Sequence, residues 1–183
     1  ALRGNHQIGN ALVAIGLLET ARRHGVPVTR DAIECGLTGV SWPGRLELID
    51  LPHGRQVLLD AAHNVDGAQT LAAYLGHWHP ERPRPVLVIG VMHDKDVEGI
   101  IGALLPFVSS VVTTAADTAR AIPAEALAAR IITTGPSIPV RAEPSPLHAI
   151  EDAFASRDTV CVAGSLLVVG AVRDALRQRA ILR

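Results

Sequence analysis

Aromatic side chains are scarce in this sequence: two Trp, one Tyr and two Phe make up 3% of 183 residues. A core must therefore be built from Val, Leu, Ile and Ala, and with 48% hydrophobic and 19% charged residues there is enough material for one. Cysteine is nearly absent too. Cys35 and Cys161 lie far apart and in no CxxC pattern, which excludes a disulfide framework and a four-cysteine zinc site. Cys161 falls in the apolar run TVCVAG, where a buried reduced thiol is expected, as in a reducing cytoplasm. Net charge is only -1 with a pI near 6.8, so no long-range basic face is offered to nucleic acid or to an anionic membrane. No run approaches the ~20 apolar residues of a membrane span, and the start has no signal-peptide pattern. The chain begins on Ala1 without a methionine and reads as a fragment of something longer.

What is present is an alternation. The stretch NALVAIGLLET, Asn10 to Thr20, is apolar on nearly every side and reads as a helix that needs burial, ending at Arg22, Arg23, His24 and Gly25. Thr29 can cap a short helix DAIECGL that closes at Gly36 to Gly39. Leu46–Asp50 and Gln56–Asp60 flank a Pro-Gly turn and read as a hairpin. Short β-rich runs follow at Val86–Ile89, Ser109–Thr113, Val140–Ala142 and Thr159–Ala163. Helices are expected at Asp66–Trp78, Asp96–Leu105, Ala124–Ile132, Leu147–Phe154 and Leu166–Arg179, with Pro123 and Pro146 at first helical positions. The pattern predicts an α/β fold: a Rossmann-like, mostly parallel sheet with one antiparallel strand, helices on both faces, and two helices in front.

In such sheets ligands bind beyond the carboxyl ends of the strands, where the polar clusters of this sequence fall. Asp60 with His63 and Asn64 follows one strand; Asp60 can accept from a ribose, or it can simply end its strand while Asn64 or Asp66 caps the next helix. His63 is a phosphate or ribose donor, or the maker of a structural hydrogen bond. The run HDKDVEG places Lys95 between Asp94 and Asp96, as an anion site or as a capping cluster. Thr113 and Thr114 with Asp117 and Arg120, and Gly164-Ser165, occupy equivalent strand ends, and Trp42-Pro43-Gly44-Arg45 precedes the first strand. His77-Trp78-His79 has a short metal-ligand spacing, but no further Cys or His pair supports it, so a surface loop is expected. There is no GxGxxG after the first strand, no GxxxxGK[ST] and no GxSxG, which argues against a dinucleotide dehydrogenase, a complete P-loop enzyme and an α/β-hydrolase.

Five motifs in order, GNHQIGNA, SWPGRLE, LLDAAHNVDGA, GVMHDKD and AGSLLVVG, resemble the carboxyl-terminal part of folylpolyglutamate synthase/dihydrofolate synthase, a member of the Mur ligase superfamily. The chain departs from that pattern in having LDAAHNV for LDGAHNP and GSLLVVG for GSLYLVG. The resemblance implies ATP-dependent ligation in the cytoplasm: a folate or dihydropteroate carboxylate becomes an acyl phosphate that the amine of glutamate attacks, with Mg2+ bridging the ATP phosphates. By position it assigns Asn10, Arg45, Asp60 and His63 to ATP binding. Asn10 matches an asparagine near the base, Arg45 a phosphate contact and Asp60 the ribose carboxylate. Lys95, Asp96 and Ser165 match motifs that serve the incoming glutamate or domain closure. No catalytic residue or metal ligand is assigned to this chain.

The glycine-rich phosphate loop and the magnesium ligands of this family belong to an amino-terminal ATPase domain, and no such motif occurs here. Residues 1–42 then read as a helical remnant of that partner domain and residues 43–183 as the carboxyl-terminal α/β domain. Two other readings stay open at this level: a free-standing nucleotide-binding or interaction module, and a domain of a ligase acting on peptidoglycan precursors.

Overall fold

The computed structural model describes residues 2–77, 83–134 and 137–178. Two helices lead, α1 (His6–Arg23) and α2 (Arg30–Gly39). Six strands then build a sheet: β1 (Glu47–Asp50), β2 (Gln56–Leu59), β3 (Val86–Ile89), β4 (Ser110–Thr113), β5 (Val140–Ala142) and β6 (Thr159–Ala163). Their order across the sheet is β1-β2-β6-β3-β4-β5. β1 and β2 pair antiparallel, Glu47 opposite Leu59, and every other pairing is parallel. The expected hairpin and mixed sheet are both present.

Strand alternation divides the core into two layers. Leu58, Leu87, Ile89, Val111 and Cys161 face α3 (Val65–His77), α4 (Val97–Leu104) and α5 (Ala124–Thr133). Val57, Leu59, Val86, Val88, Val160 and Val162 face α6 (Pro146–Phe154) and α7 (Leu166–Gln178). Because helices cover both faces, the strands read as continuous apolar runs rather than as alternating ones. Each of α3 to α7 presents one buried stripe; on α4 the buried residues are Val97, Ile100, Ile101 and Leu104, the i, i+3, i+4, i+7 spacing. Burying one such side chain contributes about 1.5–3 kcal/mol. Cys161 is fully buried and free, and burial pushes its thiol pKa up.

Helix starts follow the capping chemistry. Thr29 Oγ1 accepts from the Ala32 N–H at 3.1 Å, and Ser145 Oγ accepts from the His148 N–H with Pro146 at the first helical position. Pro123 differs from expectation, occupying the capping position itself, so α5 starts without a side-chain cap. α1 begins at His6 rather than Asn10, because its polar first turn is as helical as its apolar middle. α2 closes at Gly39, inside the expected Gly36 to Gly39 stretch, and Gly36 and Gly39 both keep a φ outside the left-handed region. Trp78 and Arg179, the expected ends of α3 and α7, lie outside the described residues.

α1 does not find the burial its composition calls for. None of its residues is buried, and Ile8, Leu12, Val13 and Leu17 are 64–67% exposed, so among the described residues nothing covers this apolar face.

The carboxyl ends of β2, β6, β3 and β4 are drawn together by backbone. The Gly164 N–H donates to Ala62 O at 2.8 Å and the Thr114 N–H donates to Ile89 O at 2.8 Å. Gly164 sits at φ +96°, where a Cβ would stand 2.6 Å from Gly90 O. Gly164→Ala is therefore expected to lower the unfolding free energy by roughly 1–3 kcal/mol, read as a drop in the urea midpoint; an unchanged midpoint would show that the two loops can separate at little cost.

Candidate functional site

The loop entering β1 and the loop leaving β2 are fastened by one carboxylate. Asp60 is 8% exposed, and its two oxygens accept from the Leu46 N–H and the Ala62 N–H, both at 2.9 Å. Burial raises its pKa, opposed by these two backbone donors and by the nearby Arg45 guanidinium. The bland alternative for this position is thus partly realised: Asp60 is a structural clasp. Asn64, not Asp66, caps α3, accepting from the Gly67 N–H at 2.8 Å.

Between α1, α2 and the loop before β1 lies an open cavity of about 700 Å3. Its walls are mainly apolar, with Ala11, Leu37, Val40 and Trp42, and its polar lining includes Asn10 and Arg45. Arg45 is exposed, and no hydrogen bond or ion pair of its guanidinium is seen among the described residues. A planar, permanently charged fork without a partner at an apolar cavity is suited to a phosphate-bearing ligand with a flat ring. Asp60 stands beside this wall, within the field of Arg45. His63 Nδ1 donates to Ala61 O at 2.8 Å, which fixes the ring in the same loop.

The assigned residues do not all converge. Asn10 and Arg45 line the cavity, and Asp60 and His63 belong to the adjoining loop, whereas Lys95, Asp96 and Ser165 are outside the cavity lining. Lys95 pairs with Asp94 at 3.0 Å, and Arg120 meets the other oxygen of Asp94 at 3.2 Å. These cations hold the exposed Asp94 carboxyl below its usual range. Asp96 caps α4 through the Gly99 N–H at 2.9 Å, and Ser165 Oγ accepts from the Leu167 N–H at 3.1 Å. Thr113 and Thr114, one of the candidate rim clusters, spend their hydroxyls on the carbonyls of Ala124 and Pro144. His77 Nδ1 donates back to Ala73 O, while Trp78 and His79 lie outside the described residues.

Two parts of the site escaped sequence reasoning. Glu47 accepts from the Gly44 N–H at 2.8 Å and from Arg173 Nε at 3.0 Å, tying the Pro43-Gly44-Arg45 loop to α7. Glu47 and Arg173 are 126 positions apart, so no local pattern announces the pair. His6 and Gln7 also line the cavity; their one-turn spacing from Asn10 was the available signal.

The profile of the Mur ligase glutamate ligase domain matches residues 44–166. The chain belongs to the Mur ligase family. Among relatives of this Mur ligase domain, the dihydrofolate synthase/folylpolyglutamate synthase of Mycobacterium tuberculosis is 41% identical over 129 residues, covering 69% of the chain and 26% of that protein. A probable bifunctional folylpolyglutamate synthase/dihydropteroate synthase of Haloferax volcanii is 35% identical over 179 residues, 94% of the chain and 20% of that protein. The Mycobacterium tuberculosis folylpolyglutamate synthase solved with ADP and AMPPCP superposes with a TM-score of 0.81 at 35% identity, over 95% of this chain and 40% of that one. Escherichia coli FolC in complex with DHPP and ADP gives 0.76 at 27% identity, over 89% and 38%. The Mur ligase domain thus spans about a quarter or less of these two curated relatives.

Asp60→Asn replaces one acceptor by an amide NH2 facing a backbone N–H, and should cost roughly 1–3 kcal/mol of stability. The sign with pH is also set. Burial makes the folded state hold the Asp60 proton to higher pH than the unfolded chain does, so this group's contribution to stability declines as pH rises above the ordinary aspartate range. Urea unfolding from pH 4 to 7 should show the stability of the parent protein falling relative to that of Asp60→Asn; parallel curves would refute the assignment.

Proposed function

We propose that this Mur ligase domain is the carboxyl-terminal part of an ATP-dependent amide ligase that adds glutamate to dihydropteroate or folate. The observation that carries the reading is the Arg45 guanidinium, without a hydrogen bond or ion pair among the described residues, lining an apolar cavity together with Asn10, in a family whose solved neighbours hold ADP or ATP analogues. Residues 1–42 go with the amino-terminal ATPase domain and residues 43–183 form the carboxyl-terminal domain. The uncovered aliphatic face of α1 supports that division, since it has the character of a surface that another domain covers.

In the proposed reaction the γ-phosphoryl group of ATP moves to a substrate carboxylate oxygen and ADP leaves. The glutamate amine then attacks the acyl carbon, its proton is lost, and phosphate departs with the carbon–oxygen electron pair. Arg45 pairs with nucleotide phosphate oxygens, Asn10 contacts the base, and Asp60 and His63 stand at the ribose. A second lone pair on each Asp60 oxygen stays free for a hydroxyl donor after the backbone bonds are made. Lys95, Asp96 and Ser165 serve the glutamate side or closure, Lys95 by charge and Asp96 and Ser165 by setting the starts of α4 and α7. Mg2+ would neutralise charge on the transferring phosphate, held mainly by ligands of the amino-terminal ATPase domain. The full-length protein is placed in the cytoplasm, where ATP and glutamate are supplied.

Two measurements test this. Arg45→Ala in the full-length protein should weaken ATP binding by on the order of 1–3 kcal/mol, the value of a charge-assisted hydrogen bond; unchanged affinity by titration calorimetry would remove Arg45 from the site. The purified chain alone should bind nucleotide weakly and form no amide product, and glutamate-dependent ATP turnover by it with a folate substrate would overturn the division of labour.

A further inference from the structure

The carboxylate closest to Arg45 along the chain is that of Glu47, and another arginine already holds it. Arg173 Nε donates to both Glu47 oxygens at 3.0 Å, and the Gly44 N–H donates to Oε2 at 2.8 Å. These three contacts fill most of the roughly four lone-pair directions of the carboxylate. With its side chains 17% and 23% exposed, this is the least exposed ion pair seen among the described residues. The arrangement is stiff, because α7 carries Arg173 and lies directly on the loop: Gly44 sits at φ +70°, and a Cβ there would stand 2.9 Å from Val169 Cγ1. On either side of Arg45 the backbone is tied down as well. Gly44 O accepts from the Ala61 N–H at 2.8 Å, and the Leu46 N–H is held by Asp60. Arg45 also lines a second cavity, of about 370 Å3, together with Arg3, Trp42 and Glu47. Glu47 is the one acid among those lining residues, and neither arginine guanidinium has a hydrogen bond or ion pair among the described residues.

We propose that Arg173 is a positioning residue: by occupying Glu47 it denies Arg45 an internal counter-ion, and so keeps the Arg45 guanidinium open to the phosphate oxygens of a ligand. This rests on the nucleotide-binding reading of Arg45 given above. A partly buried carboxylate left without its partner is costly, so in the absence of Arg173 the Glu47 side chain would take another cation. Arg45, two residues away and on the lining of the same cavity, is the cation at hand. Every phosphate would then have to displace Glu47 before it could bind. The second possible captor, Asp60, is neutralised in the same manner, its two oxygens being held by the Leu46 and Ala62 N–H groups. Both carboxylates that could silence Arg45 are thus spoken for by groups that take no part in ligand binding. Only Nε of Arg173 meets Glu47, not the two-pronged end of its guanidinium, so the position requires a positive charge rather than a fork.

The test measures ADP affinity by titration calorimetry on the full-length protein and on variants carrying Arg173→Ala, Arg173→Lys, Arg173→Ala together with Glu47→Gln, and Arg45→Ala. Arg173→Ala frees Glu47 and should weaken ADP about fivefold, the upper range for a solvent-accessible ion pair. Adding Glu47→Gln removes the competing charge while keeping an acceptor for the Gly44 N–H, and should restore most of the lost affinity. Arg173→Lys leaves a cation on Glu47 and should weaken ADP less than Arg173→Ala does. Should Arg173→Ala not fold, Arg173→Gln, which keeps the stem of the side chain, carries the same comparison. A pair that merely braces the loop gives the opposite sign: with both partners changed, the double variant stays as weak as Arg173→Ala or becomes weaker, and that result overturns the proposal. Unchanged ADP affinity in Arg173→Ala overturns it as well. If Arg45→Ala weakens ADP in that case, the nucleotide reading stands without the proposal; if Arg45→Ala changes nothing, both fall.

Discussion

The buried carboxylate of Asp60 is the constraint on which the geometry of the site depends. It joins two loops that are otherwise separate: the one entering β1, through the Leu46 N–H, and the one leaving β2, through the Ala62 N–H. An apolar residue at position 60 would leave both donors without a partner in a dry environment, and each orphan would cost about as much as a lost hydrogen bond. Since Arg45 immediately precedes Leu46, the same bond that closes the hairpin also determines where the guanidinium stands. The loop clasp and the placement of Arg45 draw on one side chain here.

Around that clasp the remaining parts serve as supports of decreasing stiffness. The two aliphatic layers hold the strands, the backbone contacts at Gly90 and Gly164 hold the strand ends together, and the Glu47–Arg173 pair braces the arginine loop from behind. α1 is braced least, with an exposed apolar face and the polar residues His6, Gln7 and Asn10 turned to the cavity. The cavity is therefore rigid on its sheet side and lightly held on its helix side.

Much of this was legible in the sequence because the signals were local. The strand runs at Val86–Ile89, Val140–Ala142 and Thr159–Ala163 were bounded by turn residues and match the observed strands. The caps at Thr29 and Ser145 rest on one side chain meeting a backbone three residues away. Pro123 misled because a proline at a helix start fits either of two neighbouring positions, and only the backbone angles decide. The clasp made by Asp60 could not be read, since its partner at Leu46 lies 14 positions away on a neighbouring strand's approach. For Asn64 and Asp66 the alternatives were equal by spacing, and the geometry of the turn chose Asn64.

The strand order carries a consequence for how the molecule comes into being. β6 is the last strand among the described residues, yet it lies between β2 and β3 and is the neighbour of both. Until residues 159–163 exist, the hairpin of β1 and β2 has no sheet to join, and β3, β4 and β5 form a separate half with an open edge. Arg173, which braces the arginine loop, comes later still. During synthesis the candidate site is thus assembled only once residues 159–173 have been made, and the waiting halves must tolerate exposed strand edges in the interval.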